Sequence, residues 1–273
     1  MLKGVVFILL TFSTCLYSQD SINLKIYRET AEKTYILYVD NAEHAPISLE
    51  YSYTAENMGS SLPTKSVTVI PALAKRFLLT ELKTLDPQKK THFNYTVYYV
   101  LGDVNVDFKE KNISYTLPFS PQKKHSIYQG YGGRFSHEAA KALDFSLQIG
   151  EAVHAARAGK VVQNFTSNSK RCLTKECAKF NNKITILHDD GSLAEYVHLK
   201  QNGSVVKNGS QVHEGQLIGY SGNTGWSMGP HLHFSVYTPK IDGGRNYIKT
   251  KFKVSGQAKP IYLEEKKTYS RSL

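Results

Sequence analysis

Short runs of strand-forming residues, each closed by turn formers, follow one another along this chain, and no stretch carries a convincing helical period. Thr34-Tyr35-Ile36-Leu37-Tyr38-Val39 runs into Asp40-Asn41, Ser66-Val67-Thr68-Val69-Ile70 into Pro71, and residues 93–101 into Gly102-Asp103. β-Branched and aromatic side chains suit a pleated, half-buried surface, while Gly, Pro, Asn and Asp close it off. The expected class is therefore mostly β. A length of 273 residues suits two ordinary domains. Residues 19–120 read as a small β-sandwich of immunoglobulin-like type. A polar, proline-marked stretch, Pro118-Phe119-Ser120-Pro121-Gln122-Lys123-Lys124, marks the boundary. Beyond it, residues 121–246 form a second β-rich domain with strands expected at 142–147, 159–165, 183–188, 194–199, 216–220 and 231–237. Asp189-Asp190-Gly191 is a hairpin signal between two of these. Residues 247–273 read as a C-terminal tail without a motif, able to add a strand to either domain.

The first residues have the form of an export signal. Lys3 gives a positive start, and Gly4 to Leu16 is mostly apolar but too short for the roughly 20 residues that span a bilayer. Polar Ser18-Gln19-Asp20 follows, so residues 1–18 are expected to be a removed signal peptide and the protein to be periplasmic or extracellular. Lipidation at Cys15 is the other reading, though Phe12-Ser13-Thr14 is a poor match for such processing. Of the three cysteines, Cys172 and Cys177 then remain. Two thiols are too few for a four-ligand structural zinc site. In an oxidising compartment they are expected to close a local disulfide that pins a loop, the alternative being two free thiols.

Charge is divided unevenly. Residues 19–120 hold 11 basic and 12 acidic residues, whereas residues 121–273 hold 22 and 11. A cationic exported domain gathers anionic polymers such as cell-wall glycans. No run of five or six Lys/Arg and no nucleic-acid-binding motif is present, so nucleic acid is not an expected partner.

Eight of the ten histidines also lie beyond residue 120. A lone histidine is more often a surface or satisfied core residue than a ligand, but His231-Leu232-His233 differs. On a strand, i and i+2 share a face, so both imidazoles converge on one spot, as a metal or a metal plus a base requires. Asp144 interrupts the apolar strand Ala142-Leu143-Asp144-Phe145, where an unpaired carboxylate is costly to bury unless it meets a cation or a strong donor. His137 lies seven residues earlier, within reach by a loop. Two His and one carboxylate leave a fourth tetrahedral position for water, the usual form of a hydrolytic zinc site.

Residues Gly222-Asn223-Thr224-Gly225-Trp226-Ser227-Met228-Gly229-Pro230-His231-Leu232-His233-Phe234 resemble the hallmark of lysostaphin-type (LytM, β-lytic) zinc metallopeptidases. Leu143-Asp144-Phe145 with the hairpin after it, Tyr196-Val197-His198-Leu199, and Val212 to Gly219 resemble three further family segments in the right order, over about residues 128–238. The resemblance implies Zn2+ held by His137, Asp144 and His233, with His198 and His231 as catalytic residues. Spacing alone does not tell His231 from His233 as the ligand. One departure stands out: the family's commonest pattern puts the first histidine four residues before the aspartate, where this chain has Ala140. His137 gives H-x6-D instead, which a longer Gly-rich loop could accommodate.

The resemblance further implies hydrolysis of peptide bonds in peptidoglycan, in stem peptides or cross-bridges, with a zinc-activated water and with His198 and His231 moving its proton and stabilising the oxyanion. Asn223, Thr224 and Trp226 are expected to line the substrate groove. Two rivals remain at this point: a non-catalytic wall-binding or regulatory protein on the same scaffold, and a secreted peptidase acting on glycine-rich proteins. The β-sandwich module could bind wall or partner, or shield the cleft.

Overall fold

A computed structural model describes residues 22–31, 34–109 and 113–271. The expected signal peptide at 1–18 lies outside the described residues. Among these, every regular element is a strand except one 3-10 turn, Lys175–Phe180, and no helix is long and apolar enough to cross a membrane.

Seven N-terminal strands make two antiparallel sheets. One holds Leu24–Ala31, Thr34–Asn41, Phe77–Thr84 and Met58–Ser60 in that order, and the other Ser66–Ile70, Ile47–Glu56 and His92–Leu101. Alternation in the sequence drives the packing: Leu37 and Val39 from the first sheet meet Leu49, Tyr51 and Ile70 from the second in one core, while Ile36, Tyr38 and Asp40 stay partly exposed.

The second core is larger and rests on a nine-stranded sheet. Its path runs Gln211–Val212, Gly159–Phe165, Lys183–Leu187, Leu193–Val197, Leu232–Pro239, Ala142–Phe145, Lys124–Gln129, Thr268–Ser270, and the ninth strand, Arg245–Ile248, pairs with Leu232–Pro239 off this path. The Asp189-Asp190-Gly191 hairpin forms as read: Leu187 pairs with Leu193, Gly191 takes φ +80°, and Asp190 accepts from the Ser192 amide. Residues on both sides of 121–246 enter this core. Tyr115, Leu117 and Phe119 are fully buried in it, and the tail adds Lys251–Lys253, parallel to Ser114–Thr116, and Thr268–Ser270. Phe252 supplies the physical reason, as an apolar residue between two exposed lysines with its ring against Tyr115, Phe145 and Phe234. The two cores meet through a third cluster, in which Ala45 and Leu101 pack with Val162, Leu193 and Tyr237.

His188 is a buried core histidine whose Nδ1 donates to the Ala158 carbonyl. Burial, reinforced by the neighbouring Arg157 charge, pushes its pKa down to about 4. The unfolded chain takes up this proton near pH 6.5 and the folded one only near pH 4, so falling pH favours unfolding across that window. We expect His188 to cost roughly 3 kcal/mol of stability between pH 7 and pH 4. Urea denaturation of His188→Gln should show a correspondingly flatter pH dependence; a slope as steep as the parent's would reject this account.

Candidate metal centre

Strand register builds the site. Val197 pairs with His233, His233 with Asp144, and Asp144 with Gln129, so these side chains form one row across four strands and share a face. Alternation puts the intervening residues on the other face: Leu232, Phe234, Leu143 and Phe145 all lie in the hydrophobic core. The H-x-H pair is thus presented by a strand whose Leu and Phe anchor it.

His137 comes from the loop between Lys124–Gln129 and Ala142–Phe145. From Tyr131 to Lys141 it is the one buried residue. Its amide donates to the Gly133 carbonyl, its carbonyl accepts from Ala140, and its Nδ1 donates to the Gly130 carbonyl at 3.0 Å. A carbonyl only accepts, so Nε2 carries the lone pair and points inward.

There it lies 3.2 Å from His233 Nδ1 and 3.4 Å from Asp144 Oδ1, and those two are 2.9 Å apart. Three ligand atoms of two imidazoles and one carboxylate thus converge, His137 and Asp144 buried and His233 partly so. Bonds of about 2.0–2.1 Å to a tetrahedral ion require ligand atoms about 3.3 Å apart, close to this triangle, so the residues fit a zinc-type cation. Burial opposes ionisation of Asp144, but the imidazoles of His137 and His233 beside it prevail and hold its carboxyl well below the usual range. Its charge is therefore available as a ligand at any ordinary pH.

Two further imidazoles stand beside this triangle. His198 sits between two strands with φ +63°, a left-handed backbone that re-aims its ring, and its Nδ1 donates to the Thr224 carbonyl at 2.8 Å. His231 Nδ1 donates to the Gly229 carbonyl at 2.8 Å, leaving Nε2 3.8 Å from Asp144 Oδ1. The two ring centroids are 4.6 Å apart. In the neutral form both rings therefore keep an unprotonated Nε2, and that of His231 faces Asp144. Burial, then the nearby His231 and His233, press the pKa of His198 down to about 3. Burial likewise lowers that of His231, partly countered by Asp144.

A groove of about 430 Å³ opens over this floor. Its aromatic lining includes Tyr128, Phe135, Phe165 and Trp226, with the ring centroids of Phe135 and Trp226 6.3 Å apart. All lining residues fall between 128 and 245, so among the described residues the N-terminal module does not cover the groove. Of the three expected lining residues, Trp226 is in place and Asn223 and Thr224 are not. Thr224 turns inward because its Oγ1 donates to the Leu199 carbonyl and accepts from the Asn182 amide, which fixes the carbonyl that holds His198. Tyr128 and Phe135 line the groove without any sequence signal beyond the nearness of Phe135 to His137.

Cys172 and Cys177 are joined in a disulfide with Cα atoms 5.8 Å apart. It closes the loop next to Trp226, whose Nε1 donates to the Leu173 carbonyl.

Residues 138–247 match Peptidase family M23. The chain carries a peptidase family M23 domain. The chain is 36% identical over 118 residues to the peptidoglycan DD-endopeptidase ShyA of Vibrio cholerae, covering 43% of this chain and 23% of that protein. It is 39% identical over 93 residues to lysostaphin of Staphylococcus simulans, covering 34% and 17%. Against the solved catalytic domain of lysostaphin the identity is 31%, with 47% of this chain and 94% of that one covered and a TM-score of 0.34. The chain thus spans less than a quarter of the length of ShyA and of lysostaphin, and the M23 assignment rests on the sequence match. The M23 match begins at Glu138, one residue after His137, so the first ligand of the triangle lies just outside it.

Proposed function

We propose that this chain is an exported zinc metalloendopeptidase that hydrolyses peptide bonds in the stem peptides or cross-bridges of peptidoglycan. The observation that carries the reading is the convergence of His137 Nε2, Asp144 Oδ1 and His233 Nδ1 beside the rings of His198 and His231, whose centroids lie 4.6 Å apart. The peptidoglycan substrate is suggested by the names of the relatives, a peptidoglycan DD-endopeptidase and lysostaphin. The export signal at residues 1–18 and the basic second half fit an enzyme held on an anionic wall. The N-terminal module is assigned to the immunoglobulin-like type on its seven strands in two antiparallel sheets.

His137, Asp144 and His233 would hold Zn2+, which when bound supplies a nucleophilic water near neutral pH and polarises the scissile carbonyl. The chain's own groups do the rest. The two Nε2 atoms of His198 and His231 share the tasks of taking the water's proton and, once protonated, donating to the developing oxyanion. Their Nδ1 hydrogen bonds to Thr224 and Gly229 fix the tautomer that leaves the Nε2 lone pair free to accept a proton. Tyr128, Phe135 and Trp226 exclude water from one side and bear on the peptide.

The test is digestion of purified peptidoglycan by the zinc-loaded protein, with a glycine-rich protein digested in parallel. Mass spectrometry should find muropeptides with new amino and carboxyl ends at peptide bonds. Untouched peptidoglycan beside a cleaved protein would overturn the substrate, and no cleavage of either the activity.

A further inference from the structure

The two histidines beside the triangle are held by a single loop, and that loop is held in turn by the disulfide-closed segment. Gly229 receives His231 and Thr224 receives His198. Ser227 Oγ, which donates to the Gly229 carbonyl at 2.7 Å, also lies 3.3 Å from His231 Nδ1. Residues 224–229 pair with residues 170–182. The Gly225 amide donates to the Lys170 carbonyl and the Ser227 amide to the Cys172 carbonyl, while Trp226 Nε1 reaches Leu173. Arg171 donates to the carbonyls of Ser227 and Met228 at 2.9 and 2.7 Å. At the other end of the segment, Asn181 Oδ1 accepts from the Trp226 amide and the Asn182 amide donates to Thr224 Oγ1. The contact is close enough that a Cβ on Gly225, which has φ +75°, would sit 1.8 Å from Asn181 Oδ1.

Between those two anchor points the chain runs through residues 173–176, all exposed and with no buried apolar side chain to hold them. The covalent Cys172–Cys177 link spans this gap, with Cys177 buried and Cys172 half-buried. A short exposed segment without core contacts opens easily unless it is cross-linked.

We infer that the Cys172–Cys177 disulfide is a positioning device for His198 and His231, so that the groove is complete only after these two thiols have been oxidised. The inference rests on the peptidase reading above. Oxidation removes two protons and two electrons from the thiols, which pass by thiol–disulfide exchange to a protein disulfide that is itself reduced to a dithiol. Before export, in a reducing compartment, the wall behind Trp226 is slack. After export it closes. His137, Asp144 and His233 lie on other strands and loops, so the metal triangle does not depend on the link.

The single tryptophan of the chain, Trp226, makes the device observable. The full-length zinc-loaded protein is compared oxidised, after reduction with a phosphine, and as the Cys172→Ser/Cys177→Ser double variant. Reduction should lower kcat/KM about 10- to 100-fold, as expected for displaced catalytic groups. It should shift Trp226 emission to the red as the indole loses the Leu173 carbonyl, while zinc stays stoichiometric and thermal unfolding stays cooperative. Oxidised glutathione should restore both signals, and alkylation of the reduced thiols should block the recovery. Unchanged activity and unchanged emission on reduction would overturn the inference, as would loss of zinc or of the fold together with activity. If the oxidised protein itself fails to cleave peptidoglycan, the peptidase reading falls, and the reversible Trp226 shift alone then decides whether the disulfide sets this wall.

Discussion

Replacing His137 by alanine is expected to remove stoichiometric zinc and to lower activity by about 1,000-fold or more. The residue is fully buried, its Nδ1 is committed to the Gly130 carbonyl, and its Nε2 completes a triangle with Asp144 and His233. Without it two ligands remain, too few for a tetrahedral ion at ordinary concentrations. A 1,000-fold loss corresponds to about 4 kcal/mol of transition-state stabilisation, within what a catalytic metal supplies. Metal analysis of the dialysed variant and peptidoglycan turnover give the two readings. His213→Ala, at an exposed position outside the triangle, should change neither. If His137→Ala kept both zinc and activity, another group would be the first ligand, and the unusual spacing ahead of Asp144 would need a different explanation. Asp144→Ala and His233→Ala should behave as His137→Ala does.

His231→Ala is expected to separate the two properties, losing about 100- to 10,000-fold in kcat while retaining zinc. His231 lies against the triangle without belonging to it: its Nε2 is 3.8 Å from Asp144 Oδ1, and its Nδ1 is bound by Gly229. His198→Ala should show the same pattern. In the proposed mechanism the two rings act on one proton and one oxyanion, so the double variant should lose much less than the product of the single losses. A fully active His231→Ala would reverse the assignment of roles within His231-Leu232-His233. Loss of zinc from it would do the same, since the metal would then depend on the ring placed outside the triangle.

Much of this architecture was legible in the linear sequence, because period-2 alternation is a local property. The strands at 34–41, 66–70, 92–101, 183–187 and 232–239 lie where β-branched and aromatic runs end in turn formers. The H-x-H pair and Asp144 were legible for the same reason, as polar residues on the wrong beat of apolar strands. The tail was not. Phe252 looks like a single aromatic among lysines until Tyr115, Phe145 and Phe234 surround it. From the sequence Thr224 reads as a groove residue because it sits in a glycine-rich loop. The direction of its hydroxyl depends on Leu199 and Asn182, which come from other parts of the chain.

His137 divides the two kinds of knowledge most sharply. By itself the sequence determined a mostly β chain with a motif-bearing second half, a strand presenting His231 and His233 on one face, and a carboxylate at Asp144 that needed a cationic partner. It also determined that position 140 is alanine, so no ligand stands at the commonest spacing. Only the tertiary structure decided that the loop from Gly130 to Lys141 folds back far enough to bury the ring of His137 against the other two. The reason is that a strand fixes the direction of its side chains through its own repeat, whereas a loop takes its course from hydrogen bonds to groups that are distant or irregular in sequence. The same holds for His233 over His231 in the triangle: the two flank Leu232 at the head of the strand, and it is pairing with Asp144 across the sheet that selects between them.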